Sequence, residues 1–256
     1  MNFTLEQLAT GSKLLGPYMG NPRAKTDAPA GRARAIMSAA YQTVQGLSVQ
    51  MPLIEQIKDS DLSPEGLVKA KEDRLAMLLA VTAQRIRSLG DHLVDAVKDA
   101  ETAAAPFRPI RDDENLAQLA RTDQAWNNTI RPQLDAGKDW DLIINTLDHD
   151  GIIATQRFAP GHEAGKRGRN SQHEVPVVLA GIKTMSDRRV IALAPEGAAR
   201  DALTEAADVA HVAEVAVDAL ASLASVDGPR NVMGAAISVK RATYEVGAQP
   251  GAQPGA

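Results

Sequence analysis

Residues 60–105 contain no proline after Pro64, and this long uninterrupted stretch constrains the fold more than any other feature. It reads SDLSPEGLVKAKEDRLAMLLAVTAQRIRSLGDHLVDAVKDAETAAA. A serine hydroxyl accepts a hydrogen bond from a free amide at a helix start, and proline at the first helical position has its φ already set. Glu65 adds negative charge at the positive end of the helix dipole. The segment therefore predicts a helix that begins at Ser63.

Apolar and small residues recur along this predicted helix at alternating spacings of four and three. That heptad pattern is typical of a helix that packs along one edge over its whole length. An unbroken helix from Glu65 to Ala100 would be roughly 54 Å long at about 1.5 Å per residue. Such a helix either forms the backbone of a helical domain or packs on copies of itself. The predicted seam consists of Leu75, Leu79, Thr82, Ile86, Leu89, Leu93, Ala96 and Ala100.

The composition limits the core and the partners. The chain has 256 residues, of which 44% are hydrophobic, 23% are charged and 3% are aromatic, and it has no cysteine. The core must therefore be aliphatic and alanine-rich, which suits helix packing, and disulfides and cysteine-based zinc sites are excluded. The net charge of -4 predicts no overall attraction to nucleic acid or to anionic membranes.

The two ends of the chain predict little core of their own. Residues 1–31 are interrupted by Gly, Pro and Asn and predict an extended arm, which either wraps over a neighbouring subunit or lies on its own surface. Residues 248–256 belong to a Gly-Ala-Gln-Pro repeat and predict a disordered tail. The N-terminus lacks a signal-peptide pattern and no apolar run approaches ~20 residues, so we expect a soluble protein without a membrane partner, made in the cytoplasm.

The sequence predicts an α+β fold with a change of pattern near residue 150. Residues 32–150 predict a helical domain that contains the long helix. Residues 151–247 predict a smaller mixed β/α domain, in which short β-branched runs bounded by turn residues indicate strands. These runs are GIIATQRFA, EVPVVLAGIKT and RRVIALAP, the last two forming a hairpin, followed by an Ala-rich helix and a final strand or hairpin NVMGAAISVKRATYEV.

The densest basic cluster is Lys166, Arg167 and Arg169 in the segment GHEAGKRGRNSQHE, which predicts a Gly-rich loop. The segment misses the phosphate-binding P-loop pattern, because the spacing from Gly161 is one residue short and Arg167 stands where Ser or Thr would bind magnesium. The sequence leaves three possible roles open for these cations. They contact a nucleic-acid backbone, they meet an acidic patch on a neighbouring subunit, or they are only solvated.

Motifs for catalysis and metal binding are absent or incomplete in the sequence. The segment TLDHDGIIATQR resembles a calcium loop, but Arg157 occupies the position that requires a bidentate glutamate. A helix-ending turn with Gly151 as its C-cap explains the same residues. There is no helical His-Glu-x-x-His motif, nucleophile elbow, dinucleotide fingerprint or usable carboxylate dyad. We therefore predict no catalytic residues, no metal and no cofactor, and a protein that is not an enzyme.

The segment DSDLSPEGLVKAKEDRLAMLLA, residues 59–80, resembles one that recurs in structural proteins of tailed bacteriophages, where a Leu-Ser-Pro-Glu-Gly turn opens a long charged helix. The arm, the absence of cysteine and the low-complexity tail are similar to such virion proteins. The resemblance implies a head–tail connector, minor capsid or other virion component that is assembled in the host cytoplasm with other virion structural proteins. The resemblance assigns no functional residues to this chain. The predicted β-containing half departs from the wholly helical connector pattern, which leaves the particular virion role open.

The leading functional hypothesis is a non-enzymatic structural subunit of a homo-oligomeric complex, placed by the resemblance at a phage head or head–tail connection. One alternative is an enzyme or small-molecule-binding protein with a pocket between the two halves. The other is a protein that contacts nucleic acid through the basic loop 165–169.

Overall fold

The computed structural model describes residues 28–167 and 169–248, and these residues form helices joined by short connections. Two 3₁₀ turns (Ala105–Phe107 and Arg169–Glu174) and a π-helical turn (Trp126–Ile130) complete the regular structure. The α-helices are α1 (Pro29–Glu55), α2 (Pro64–Ala104), α3 (Leu116–Ala125), α4 (Arg131–Asp135), α5 (Trp140–Ile144), α6 (His149–Lys166), α7 (Val175–Leu193), α8 (Ala198–Ala224) and α9 (Pro229–Glu245).

The predicted α+β fold is wrong, because the described residues contain helices and no β-strand. The run GIIATQRFA lies in α6, the predicted hairpin is the single helix α7, and the predicted last strand is α9. Short β-branched runs do not distinguish a strand from a buried helix segment. The long-range pattern does distinguish them, because the buried residues of α7 repeat at spacings of seven, four and four. They are Val175, Ile182, Ser186 and Val190.

The residues expected to turn the hairpin lie inside α7. Ser186, from the predicted turn, is buried. Lys183 and Asp187 form an ion pair of 2.6 Å at a spacing of four residues, which supports a helix across this point. The β-branched residues on either side are tolerated in a helix because tertiary packing overrides their modest propensity.

The predicted long helix is confirmed. Helix α2 has 41 residues, and the Ser63 hydroxyl accepts a hydrogen bond from the amide of Gly66 at 3.1 Å. It continues through Gly90, where a side chain would meet no other atom within 4 Å. The cap at Ser63 and the proline at the first helical position thus act as the sequence predicts.

The predicted seam of α2 is confirmed in its C-terminal half and shifted in its N-terminal half. Leu75, Leu79 and Ile86 are only half-buried, and Leu78 and Arg85 are buried in their place. A straight α-helix has 3.6 residues per turn, so a strict heptad drifts ~20° per repeat away from one face. The buried positions therefore include additional spacings of four. They are Leu78, Thr82, Arg85, Leu89, Leu93, Ala96, Ala100 and Ala104.

The described chain divides into two compact units. The first unit comprises the residues up to Glu101 and those from Asp208, and the second comprises Thr102–Ala207. The predicted position of a domain boundary near residue 150 lies within α6. Residues 1–27 of the predicted arm and 249–256 of the predicted tail lie outside the described residues.

In the first unit, α1 packs against α9. Arg34 of α1 donates from Nε to the carbonyl of Val246 at 3.0 Å and from Nη2 to Asp208 at 2.5 Å. Arg32 forms a further ion pair with Asp99 at 2.6 Å. Long aliphatic side chains of α1 fill the core of this unit. The fully buried ones are Ile36, Met37, Val44, Leu47 and Met51.

In the second unit, α6 packs against α3 and α7. All residues of α6 from Gly151 to Thr155 are buried, which explains why three apolar residues follow Gly151 in succession. Arg157 of α6 donates to the Thr122 hydroxyl of α3 and forms an ion pair of 2.7 Å with Asp113. These contacts fix the face of α6 that carries the aromatic residues described below.

Candidate functional site

The predicted basic loop is helical over much of its length. Helix α6 continues through Gly161 and Gly165 to Lys166, and a 3₁₀ turn begins at Arg169. Lys166 is exposed at the C-terminal end of α6, where a cation is favourable beside the free carbonyls. The Arg169 side chain lies outside the described part of the structure.

Arg167 is turned towards carboxylates of its own chain. Its guanidinium forms an ion pair with Glu163 and lies 3.6 Å from Glu174, with the arginine side chain only 22% exposed. A guanidinium held in this way contributes less to an external phosphate contact than a free one. Of the three predicted contact residues, Lys166 is the one whose described side chain reaches solvent without an ion pair in the described residues.

Glu163 is a buried carboxylate whose charge is balanced within the second unit. One oxygen accepts a hydrogen bond from the indole of Trp140 at 2.8 Å, and the other accepts one from Arg167. Burial alone would raise the pKa of Glu163, but the hydrogen bonds from Trp140 and Arg167 outweigh it and lower the pKa. The side chain is therefore ionised at neutral pH and connects α5 to the end of α6.

Four aromatic rings meet beside this carboxylate. Trp126 has its ring centre 6.5 Å from Trp140 and 5.3 Å from Phe158. His162 contacts both tryptophans edge-on, with ring centres 5.7 Å and 6.4 Å away. The chain contains two tryptophans in all, and both lie in this cluster. Such tilted and edge-on pairs add to the stability that area burial provides.

A groove of about 470 Å³ opens beside the cluster. Trp126, Phe158 and His162 line the groove with their rings, and its charged lining residues are Arg131, Asp135 and Lys166. Arg131 is 3.7 Å from Asp135, in an exposed ion pair. The π-helical turn that begins at Trp126 widens the helix at this wall, and such turns are frequent at functional sites. A flat apolar ring that carries an anionic group would complement this surface.

This groove was not predicted from the sequence. Phe158, His162 and Lys166 recur at a spacing of four, which places them on one face of a helix. That signal was hidden because the segment was predicted as a strand followed by a loop. Nothing in the sequence indicates that Trp126 and Trp140, which lie on different helices, come together with them.

The calcium-like segment has a structural role. Asp148 caps α6 by accepting a hydrogen bond from the amide of Gly151 at 2.8 Å, so the predicted helix-ending turn is a helix start. Asp150 forms an ion pair of 2.8 Å with Arg121. Within the described residues, no three His, Asp or Glu side chains form a group that could hold a metal ion. None of the helices described has the length and apolarity needed to cross a bilayer.

In the first unit, α9 carries a second apolar face that points to solvent. Met233, Ile237 and Tyr244 are 68%, 62% and 62% exposed. Their spacings of four and seven place them within about 40° of one another around the helix. We call these three residues the α9 ridge. The opposite face of α9 is buried and contains Val232, Ala235, Val239 and Ala242.

A polar groove of about 430 Å³ runs between α8 and α9, beside the α9 ridge. Three carboxylates line it, and among the described residues none of them has an ion-pair or side-chain hydrogen-bond partner. They are Glu214 and Asp218 of α8 and Glu245 of α9, with Arg241, His211 and Ser238 as the other polar residues. We call this the α8–α9 groove.

Comparison of the chain with protein-family models, with curated proteins and with solved structures finds no match.

Proposed function

We propose that this protein is a non-enzymatic structural subunit of a homo-oligomeric assembly. The observation that carries the proposal is the α9 ridge, which exposes two large aliphatic side chains and one tyrosine on a single helix face. A surface helix of a globular protein usually buries one apolar stripe and presents polar residues on the opposite face. A helix with apolar residues on both faces indicates that a further surface covers the second one.

The resemblance of residues 59–80 to phage structural proteins supports a virion setting. We propose a component of a phage head or head–tail connection, assembled in the host cytoplasm with other virion structural proteins. The described residues contain helices and no strand, so the departure from the helical connector pattern that the predicted β half had created no longer applies to them. The long helix α2, with its exposed apolar side chains Met77 and Val81, offers additional contact surface for an assembly.

The proposal is tested by the mass of the chain in solution. Light scattering over a wide concentration range should give a multiple of the 27.1 kDa subunit mass. Ile237→Glu, which places a charge in the middle of the α9 ridge, should shift the mass towards 27.1 kDa. Val49→Glu is the matched control, because Val49 is equally exposed but lies on α1. A wild-type chain that stays monomeric at every concentration would overturn the proposal.

The aromatic groove favours a second candidate function, the binding of a small aromatic anion. Both tryptophans of the chain lie in its wall or next to it, so their fluorescence reports directly on this site. A panel of nucleotides and aromatic carboxylates should quench or shift the emission if the groove binds such ligands. Lys166→Ala should weaken the effect by about fivefold, because it removes the unpaired cation that lines the groove. The absence of any saturable change would exclude this candidate.

A further inference from the structure

We infer that the α9 ridge of one subunit packs against the α8–α9 groove of a second copy of the same chain. The inference rests on the proposed homo-oligomeric function and names the surfaces that make the contact. Lys240 lies between Ile237 and Tyr244 in sequence and occupies the same helix face as the ridge. In the contact, its ammonium group enters the acidic groove of the neighbour.

The helical spacing of the α9 ridge is compatible with this arrangement. The ridge runs from Met233 to Tyr244 and is about 16 Å long at about 1.5 Å per residue. A row of side chains spaced at four and three residues on one helix packs into the furrow between two others, as helix ridges fit into grooves. The α8–α9 groove is such a furrow, and Arg241 and Glu245 form its α9 side next to the ridge.

The opposite charges beside the α9 ridge and in the α8–α9 groove favour a second copy of the chain as the partner that fills the groove. Three carboxylates and one guanidinium line the groove, so its carboxylates outnumber its guanidinium groups by two. The centre of the ridge carries Lys240, which is exposed and has no side-chain ion-pair partner in the part of the chain that the structure describes. Each copy therefore holds an unpaired cation on an apolar ridge and, beside it, unpaired carboxylates in a groove. Such self-complementarity is what a two-fold contact between identical subunits requires.

A charge-reversal experiment on the full-length chain tests this pairing. Sedimentation velocity should show that Lys240→Glu weakens self-association by about tenfold or more, because it replaces an attraction by a repulsion. Asp218→Lys should weaken it similarly. The double variant, with both charges exchanged, should recover most of the wild-type association, because the pair is restored with opposite signs. Circular dichroism at 222 nm checks that each variant keeps its helix content.

Lys98→Glu is the control for a change of net charge, since Lys98 is a lysine of α2 in the same unit. It should leave association within about twofold of the wild type. A wild-type chain that does not associate overturns both this inference and the proposed function. An associating wild type that is unaffected by Lys240→Glu, or single variants that the double variant does not rescue, overturn the inference alone and leave the proposed function standing.

Discussion

Replacing Arg167 by methionine should destabilise the second unit by leaving Glu163 as a buried carboxylate without its guanidinium partner. The Glu163 side chain is 2% exposed and that of Arg167 is 22% exposed. Removing one partner of a fully buried pair costs about 3–5 kcal/mol. Because Arg167 is partly exposed and Trp140 still donates to Glu163, we expect the lower end of this range, about 3 kcal/mol. For a chain of this size that lowers the melting temperature by about 6–12 °C.

The pH dependence of this loss of stability shows whether the buried charge of Glu163 causes it. The pKa of Glu163 is lowered in the folded state, so its stabilising contribution is present above the unfolded pKa of about 4.3 and is lost as the pH falls through the folded pKa. In Arg167→Met the dominant remaining effect is burial, which favours the protonated form. The difference in stability between the wild type and the variant should therefore be largest near pH 7 and shrink towards pH 4.

Urea unfolding followed by tryptophan fluorescence measures this difference, since both tryptophans lie in the second unit. Arg131→Met provides the matched control, because Arg131 belongs to an exposed pair with Asp135 whose side chains are 60% and 64% exposed. It should cost about 0–1 kcal/mol. An equal cost for both variants, or a cost for Arg167→Met that is the same at pH 7 and pH 4, would refute the reasoning.

Three further predictions test the cap, the seam and an ion-pair cluster. Ser63→Ala should cost about 1 kcal/mol in urea unfolding followed by circular dichroism, because the amide of Gly66 loses its acceptor. Leu93→Ala should cost about 2–5 kcal/mol in the same assay, whereas Val94→Ala, at the exposed neighbouring position, should change stability by less than about 0.5 kcal/mol. The Asp113 carboxyl should titrate in an NMR experiment with a pKa of about 2, because hydrogen bonds from the two nearby guanidinium groups lower it.

The helical first half was predictable from local chemistry. The start of α2 depends on Ser63 and Pro64, whose side chains act within one turn of the helix. The C-terminal part of the seam could also be predicted, because small and apolar residues there occupy one face at helical spacing. The shift at Leu78 and Arg85 could not, since it depends on how the helix drifts against its neighbours.

The second half was mispredicted because its residue types favour strands, whereas the spacing of its buried residues is that of helices. Valine and isoleucine are enriched in strands, and short runs of them suggested strands in α6, α7 and α9. The helical period becomes visible only over a whole helix, as in the spacing of Val175, Ile182 and Val190 across the predicted turn. Within a window of eight residues, the spacing of apolar residues does not distinguish a strand from a buried helix segment.

The basic cluster illustrates how residues that are adjacent in sequence can have different surroundings in the fold. Lys166 and Arg167 are adjacent in sequence, but one is exposed at the end of α6 and the other pairs with Glu163. Tertiary packing determines which of the two neighbouring cations forms an ion pair with the buried carboxylate. The α9 ridge was not predicted because spacings of four and seven place residues on one face of a helix but not of a strand, and α9 was predicted as a strand.

Disulfide trapping tests the proposed self-association most directly, and the absence of native cysteine makes the readout unambiguous. The double variant Lys240→Cys with Asp218→Cys, oxidised mildly, should give covalent species of two or more subunits on a non-reducing gel. Each single-cysteine variant should give far less, because its thiol would face a lysine or an aspartate rather than a second cysteine. A double variant that stays at the mass of one subunit, at concentrations where the wild type associates, would contradict the account.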